Sequence, residues 1–112
     1  MQPRVWFYSC GPESDNTPDH QQMIQELAEK HGMVVAGITV EPSDAPTMNR
    51  PGIRQIIDAA ERNAVDAVVA FTIKNIGKKK RDLKPFLRIM QENAVTVYTK
   101  YQGRVRLPDE VV

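Results

Sequence analysis

The chain has 112 residues, of which 41% are hydrophobic and 26% are charged. At this length one domain with its own buried core is expected, and neither a disulfide nor a structural metal is needed to stabilise it. Fifteen Lys and Arg residues against fourteen Asp and Glu residues leave a formal charge of +1, which excludes a protein that binds nucleic acid or anionic membrane over its whole surface.

The cysteine content and the hydropathy of the chain bear on its cellular location. Cys10 is the only cysteine, so an intramolecular disulfide and zinc sites built from cysteine pairs are excluded. The sequence has neither a signal-peptide hydrophobic region nor an apolar run of membrane-spanning length. These features predict a cytoplasmic protein without a membrane partner.

Strand-like and helix-like segments alternate along the first part of the chain. Residues 5–8 form a short run of β-favouring side chains that ends at Gly11, which predicts a strand. Residues 21–31 carry apolar side chains at helical spacing and are followed by Gly32, a residue favoured just beyond a helix C-terminus. A second strand is predicted over residues 33–40.

The same alternation continues in the second part. Pro51 is placed to begin a helix, and residues 66–71 form a nearly continuous apolar strand. Asp82 is predicted to cap a third helix, followed by strands over residues 94–100 and 104–107. This order predicts an α/β fold, specifically a three-layer α/β/α sandwich with a mostly parallel sheet of four to five strands.

Functional residues are expected in the loops that follow the strands, because sites in parallel sheets gather at the carboxyl ends of the strands. The loops are residues 9–12, 41–50 and 72–81. They contain neither a glycine-rich phosphate loop ending in Lys-Ser/Thr nor a dinucleotide-binding fingerprint. His20 and His31 have no third ligand at metal-binding spacing. We therefore expect no cofactor and no metal.

Positive charge is concentrated in one segment of the sequence, residues 74–81, which we name the cationic segment. Its five cations are Lys74, Lys78, Lys79, Lys80 and Arg81. Five cations within eight residues at a sheet edge would create a local positive field suited to DNA phosphates. The alternative interpretation is an exposed loop before a helix, and both remain open at this stage.

Several segments together resemble the N-terminal catalytic domain of serine recombinases, the resolvase/invertase family. Residues 49–53 read N-R-P-G-I and are similar to the family's D-R-P-G-L. Residues 66–69, D-A-V-V, and residues 81–83, R-D-L, match the family's register without a gap. The resemblance spans nearly the whole chain and implies a resolvase-like fold. In that family a serine attacks a DNA phosphodiester to form a phosphoserine link, while arginines stabilise the developing charge.

The end of the first strand departs from the family pattern. The family places its serine in a Y-x-R-V-S sequence, and the corresponding register here begins at Tyr8. Cys10 then occupies the arginine position and Pro12 the serine position. Because proline has no nucleophilic atom, this position is incapable of forming the covalent intermediate.

The loop after the third strand departs as well. Asn75 and Lys78 stand where the family's D-R-L-S-R sequence has its two arginines, and Arg50 alone keeps a family active-site arginine. A neutral amide does not replace a guanidinium, and a lysine keeps the charge but loses the bidentate geometry. The resemblance therefore implies a catalytic domain that is degenerate at its active site, and we assign a catalytic role to none of its residues.

Three functions are compatible with these observations. The first is a serine-recombinase-like domain that has lost DNA strand cleavage. It would bind a protein partner, such as a second copy or an active recombinase, or would bind nucleic acid weakly through Arg50 and the cationic segment. The second is an active DNA recombinase that uses a displaced nucleophile, Ser14 or Ser9. The third is a small-molecule-binding module of flavodoxin-like shape, which rests on fold analogy alone.

Family members continue into a long helix and a separate DNA-binding domain. This sequence ends at residue 112, so we expect residues 1–112 to form a single resolvase-like domain without a C-terminal DNA-binding domain. Sequence-specific DNA recognition by this chain alone is accordingly not expected.

Overall fold

The computed structural model describes residues 2–10, 22, 25, 26, 29, 30, 32–41, 45–100 and 103–105. Its strands are β1 (Arg4–Cys10), β2 (Val34–Glu41), β3 (Ala67–Ala70), β4 (Thr96–Thr99) and β5 (Gly103–Val105). They form one sheet in the order β2-β1-β3-β4-β5, in which the first four strands are parallel and β5 is antiparallel to β4. The predicted α/β fold with a mostly parallel sheet is confirmed.

The helical elements lie between the strands. They are a short 3₁₀ turn (Thr47–Asn49), α1 (Pro51–Glu61), α2 (Ile73–Ile76) and α3 (Lys80–Glu92). Pro51 is the first residue of α1, where its fixed φ suits the helix and its missing N–H costs nothing. The helix predicted over residues 21–31 falls mostly outside the described residues, although the five described positions within it are helical.

The main core lies between one face of the sheet and the helices α1 and α3. Its largest helical contributors are Ile53, Ile56, Leu83, Phe86, Leu87 and Met90. They recur at three- and four-residue spacing, as the sequence predicts, so each helix presents one apolar face to the sheet. Each such side chain contributes about 1.5–3 kcal/mol on burial. This packing holds the N-termini of α1 and α3 near the carboxyl edge of the sheet.

A second, smaller buried cluster covers the other face of the sheet. It consists of Val5, Phe7, Ala67 and Val69, with Met33 and Phe71 packed against it. The central strands β1 and β3 are therefore buried on both faces, which explains why their sequences are nearly continuous apolar runs. In contrast, β2 lies at the sheet edge and is largely exposed.

The structure corrects two details of the sequence interpretation. Asp82 is not the cap of α3, because that helix begins at Lys80 and Asp82 lies in its first turn. There its carboxylate is favoured by the positive end of the helix dipole. The one-turn helix α2 was not predicted, since four residues are too few to show an apolar period. Within the described ranges, no helix is both long enough and apolar enough to cross a bilayer.

Candidate active-site edge

Three residues that the sequence placed in a site, Cys10, Arg50 and Asn75, are held at the carboxyl edge of the parallel sheet. There β1 ends at Cys10, β2 ends at Glu41 and β3 leads into α2. The 3₁₀ turn and the N-terminus of α1 approach the same edge, and Thr47 and Arg50 contact α2 through hydrogen bonds. This convergence is the geometry expected for a site in an open parallel sheet.

Arg50 is the centre of this edge and is enclosed by protein groups. Its side chain is only 5% exposed. Nη1 donates to the carbonyl oxygens of Asn75 at 2.8 Å and Ile76 at 2.9 Å, and also to Tyr8 Oη at 3.3 Å. Nε donates to the carbonyl oxygen of Ala45 at 2.9 Å. The guanidinium therefore ties β1, α2 and the loop before the 3₁₀ turn together.

Tyr8 links this arginine to an acidic residue. Its hydroxyl donates to Glu41 Oε2 at 2.8 Å, and the Glu41 Oε1 atom accepts from the Gly52 N–H at 3.0 Å. Since the N-cap residue Arg50 makes no side-chain capping bond, Glu41 supplies the acceptor that the first turn of α1 lacks. An acidic side chain from β2 thus completes a helix N-terminus in another layer of the fold.

The protonation state of Tyr8 follows from its surroundings. Burial raises the pKa of the Tyr8 phenol far above its usual value; the Arg50 hydrogen bond opposes this rise, and contacts with Cys10 and Glu41 add to it. The phenol is therefore neutral at physiological pH and donates a hydrogen bond. Such a group serves as a fixed connector between charged neighbours rather than as a base.

Asn75, at one of the family's arginine positions, has a connecting role. Its Nδ2 donates to the Cys10 carbonyl at 3.0 Å, and its Oδ1 accepts from the Thr72 N–H at 3.2 Å. The amide thereby joins the end of β1 to a capping box at the start of α2. Thr47 holds the other end of α2, because its hydroxyl donates to the Ile76 carbonyl at 2.6 Å.

Gly52 is required by the close approach of β2 to α1. A Cβ atom at this position would lie 2.5 Å from Glu41 Oε2 and would also overlap the Thr39 side chain. The glycine of the N-R-P-G segment therefore lets the Glu41 carboxylate reach the backbone N–H.

The predicted nucleic-acid-binding residues fall into two groups. Arg50 is buried, whereas the five cations of the cationic segment are exposed: Lys74 in α2, Lys78 and Lys79 in the loop, and Lys80 and Arg81 in α3. The sequence interpretation assigned Arg50 and the cationic segment to the same nucleic-acid-binding surface. In the structure only the cationic segment is exposed, because Arg50 is enclosed by protein groups.

The remaining candidates have the following places. Ser9 is 3% exposed in β1, and Cys10 is buried next to it. Pro12 and Ser14 lie outside the described residues. Among the residues that are described, no group of three His, Cys, Asp or Glu side chains is arranged to hold a metal ion.

Two residues of this edge were missed from the sequence. Glu41 and Thr47 carry no motif, and their roles depend on Gly52 and Ile76, which are distant in sequence and close only in the fold. The position of Glu41 could have indicated its role. This charged residue directly follows a predicted strand, at an edge of the sheet where charged residues are often functional.

The sheet order and the helices between the strands define an α/β domain with a mostly parallel sheet. The family described as "Resolvase, N terminal domain" matches residues 8–109. The chain belongs to this family, and the resemblance noted in its sequence is confirmed.

Three solved structures share this fold. The N-terminal catalytic domain of TP901-1 integrase is 16% identical, with a TM-score of 0.75 over 89% of this chain and 78% of that one. A resolvase family site-specific recombinase from Streptococcus pneumoniae is 14% identical, with a TM-score of 0.71 over 91% and 74%. The C-terminal catalytic domain of ISC1926 TnpA, an IS607-like serine recombinase, is 15% identical, with a TM-score of 0.69 over 88% and 67%. No curated protein matches the sequence.

Proposed function

We propose that this domain keeps the serine-recombinase fold, has lost DNA strand cleavage, and acts as a binding domain that contacts DNA phosphates through the cationic segment. The observation that carries the proposal is the state of Arg50. Its guanidinium donates to three backbone carbonyls and to Tyr8 and is almost fully enclosed. A side chain held in this way supports the fold, whereas transition-state stabilisation needs donors directed at the reacting phosphate.

The residues around Arg50 support the same conclusion. The Asn75 amide is bonded to the backbone at Cys10 and Thr72, so it is occupied as well as uncharged. Losing one preorganised charge-stabilising donor costs about 2.7–4 kcal/mol in comparable sites. Pro12, at the position of the family's serine, has no atom able to attack phosphorus.

An active enzyme with a displaced serine is the competing function. Ser9 is buried in the central strand β1, so its hydroxyl would have to leave the sheet to reach a phosphodiester. Ser14 is the other candidate and is best tested directly.

Contact with DNA is supported by the exposure and composition of the cationic segment. All five of its cations are exposed, and none of its eight residues is acidic. Contacts from lysine and arginine side chains to phosphates carry no sequence information, and each phosphate neutralised steepens the log–log salt dependence by about 0.9. Binding of this kind is weak, sequence-independent and sensitive to salt.

Fluorescence anisotropy with labelled duplex DNA across a salt series tests the DNA contact. Lys79→Glu should weaken binding several-fold and lower the salt slope by about one. Arg54→Glu is the matched control, since Arg54 is exposed on α1 and the change in net charge is identical. If the two variants weaken binding equally, the effect is one of net charge and the cationic segment is not the contact. If the wild type does not bind at about 50 mM salt, the DNA contact is rejected and a protein partner becomes the better hypothesis.

Covalent trapping tests the loss of cleavage. Supercoiled plasmid is incubated with the protein and quenched in detergent, and protein–DNA adducts are sought by gel. We expect no adduct and no difference between the wild type and Ser14→Ala. An adduct that disappears in Ser14→Ala would establish an active recombinase and refute this part of the proposal.

A further inference from the structure

An aromatic and cationic surface lies at the β4–β5 edge of the sheet, away from α1 and α3. We name it the β4–β5 aromatic surface and define it as Phe71, Tyr98, Lys100 and Arg104. Tyr98 lies directly opposite Arg104 on β5, and directly opposite residues of neighbouring strands share a face. On its other side Tyr98 is paired with Val69, a member of the second buried cluster. The surface therefore belongs to the face opposite the main core.

Three side chains of this surface are exposed, those of Tyr98, Lys100 and Arg104, whereas Phe71 is partly buried against the second cluster. Tyr98 is 43% exposed. Arg104 and Lys100 are exposed too, and the Lys100 Nζ atom lies 5.6 Å from the centroid of the Phe71 ring. Lys100 directly follows the end of β4, and its contact with Phe71, which packs against the second buried cluster, places it on the same face.

The charge of the surface is uniformly positive. Neither β4 nor β5 contains an acidic residue, and their sequences are T-V-Y-T and G-R-V. Within the part of the chain that the structure describes, the side chains of Tyr98 and Arg104 make no hydrogen bond or ion pair. An exposed aromatic ring beside two cations is suited to a ligand that offers both a flat π-system and negative charge.

We propose that the β4–β5 aromatic surface binds single-stranded nucleic acid, with a base stacked on Tyr98 and phosphates close to Lys100 and Arg104. In a duplex the base faces are covered by their neighbours, so a stacking surface selects unpaired strands. The positive charge favours a nucleic acid over an apolar protein segment, which would gain nothing from two cations. This site goes beyond the duplex contact proposed above, because it uses other strands and a different interaction.

The test compares binding of a labelled oligothymidine of about 15 nucleotides with binding of a duplex of the same length. The wild type should bind the single strand more tightly. Tyr98→Ala should weaken single-strand binding by about 5- to 150-fold, the range that loss of one base stack produces. Tyr98→Phe keeps the ring and should stay within about twofold of the wild type. Thermal melting establishes that each variant is folded.

Tyr98→Leu separates stacking from simple apolar contact. It keeps an apolar side chain without a π-face, so we expect it to bind as weakly as Tyr98→Ala. Wild-type affinity in Tyr98→Leu or Tyr98→Ala would overturn the proposal, and so would equal affinity of the wild type for the single strand and the duplex.

Arg104→Ala tests the cationic part of the surface. It should reduce the single-strand salt slope by about 0.7, whereas Arg54→Ala on the opposite side of the sheet should leave that slope unchanged. An unchanged slope in Arg104→Ala would contradict a phosphate contact at this residue.

Lys79→Glu distinguishes the two proposals, because it should lower duplex affinity while the single-strand preference persists. Absence of duplex binding by the wild type, with single-strand binding intact, would reject the duplex contact alone.

Discussion

The Nη1 atom of Arg50 lies 3.3 Å from Oη of Tyr8, two residues that are 42 positions apart in sequence. The contact joins the start of α1 to the central strand β1, and through Tyr8 it continues to Glu41 and the Gly52 N–H. A cation, a neutral phenol and a carboxylate are thereby arranged in one hydrogen-bonded line. Within the described residues, no buried side-chain nitrogen or oxygen lacks a partner, so removing a member of this line leaves a buried group unpaired.

Arg50→Ala should destabilise the fold severely. The substitution leaves the carbonyl oxygens of Ala45, Asn75 and Ile76 without this donor. Since each buried group left unsatisfied costs about 1–3 kcal/mol, we expect a loss of about 3 kcal/mol or more in the free energy of unfolding. Urea denaturation provides the measurement. Arg54→Ala, an exposed arginine of the same helix, should change stability by no more than about 0.5 kcal/mol. Equal stability of both variants would show that Arg50 does not support the fold.

Tyr8→Phe should make stability at alkaline pH less sensitive to pH. At neutral pH the variant loses the bond to Glu41 and the acceptor for Arg50, which costs about 1–2 kcal/mol. Burial raises the pKa of Tyr8 in the folded state, so its stabilising contribution is complete below the unfolded pKa of about 10 and is lost as pH rises above it. The wild type should therefore lose its advantage over Tyr8→Phe above about pH 10. Urea unfolding of both proteins from neutral to alkaline pH measures this difference, and a constant difference would contradict the prediction.

The strands and apolar stripes were predictable because they depend on local sequence. Two local patterns are enough to predict which residues are buried. They are the apolar runs that form β1 and β3, and the helical spacing of Ile53, Ile56 and Phe86. The environment of Arg50 was not predictable, since three of its four acceptors are main-chain carbonyls, of Ala45, Asn75 and Ile76, and any sequence supplies carbonyls. A recognisable arginine in a family motif indicated a site, but only the fold shows that the guanidinium is directed inward.

The prediction of where α3 begins was wrong for a different reason. Asp82 is a favoured N-cap residue, yet α3 begins at Lys80, and its N-cap Lys79 makes no side-chain capping bond. Burial of Leu83, Phe86, Leu87 and Met90 against the sheet outweighs the contribution of a cap, which is about 1 kcal/mol. Tertiary packing therefore decides this boundary and local propensity does not.

Acid should remove the stabilisation that the Arg4–Asp66 pair provides. Hydrogen bonds from the Arg4 side chain and backbone N–H lower the pKa of Asp66 to about 2. A carboxyl group with a lowered folded pKa stabilises the protein above its unfolded pKa of about 3.9, and this contribution is lost as pH falls towards 2. The effect is modest because the two side chains are 38% and 41% exposed.

Asp66→Asn tests this window. The difference in unfolding free energy between the wild type and the variant should be constant from about pH 7 down to about pH 4 and should shrink between pH 4 and pH 2. The charged part of the difference should also shrink at about 1 M salt, where the Debye length is about 3 Å. A difference that stays the same down to about pH 2 would show that Asp66 is not the titrating group.

Gly52→Ala should destabilise the contact between β2 and α1. The new methyl group would lie 2.5 Å from Glu41 Oε2, so the carboxylate would have to leave the Gly52 N–H and the Tyr8 hydroxyl. Overpacking of this kind costs about 1–3 kcal/mol, and the higher helix propensity of alanine recovers less than that. Gly103→Ala is an informative comparison, because a Cβ there meets nothing within 4 Å and only its positive φ opposes the change. Wild-type stability in Gly52→Ala would mean that β2 moves freely away from the helix.

Pro85→Ala should stabilise the protein, in contrast to the substitutions above. Pro85 lies inside α3 and is exposed, so it packs little surface while lacking the N–H that would bond to the carbonyl of Arg81. An interior helical proline costs about 3 kcal/mol relative to alanine, and relaxation of the helix reduces this cost, so we expect a gain of about 1–3 kcal/mol. Chemical denaturation measures the gain, and Arg88→Ala, an exposed change in the same helix, should be within about 0.5 kcal/mol of the wild type.

If Pro85→Ala is neutral or destabilising, the proline must contribute to the packing or position of α3. The cationic residues Lys80 and Arg81 in its first turn would then be held in place partly by Pro85, and DNA binding should weaken in the same variant.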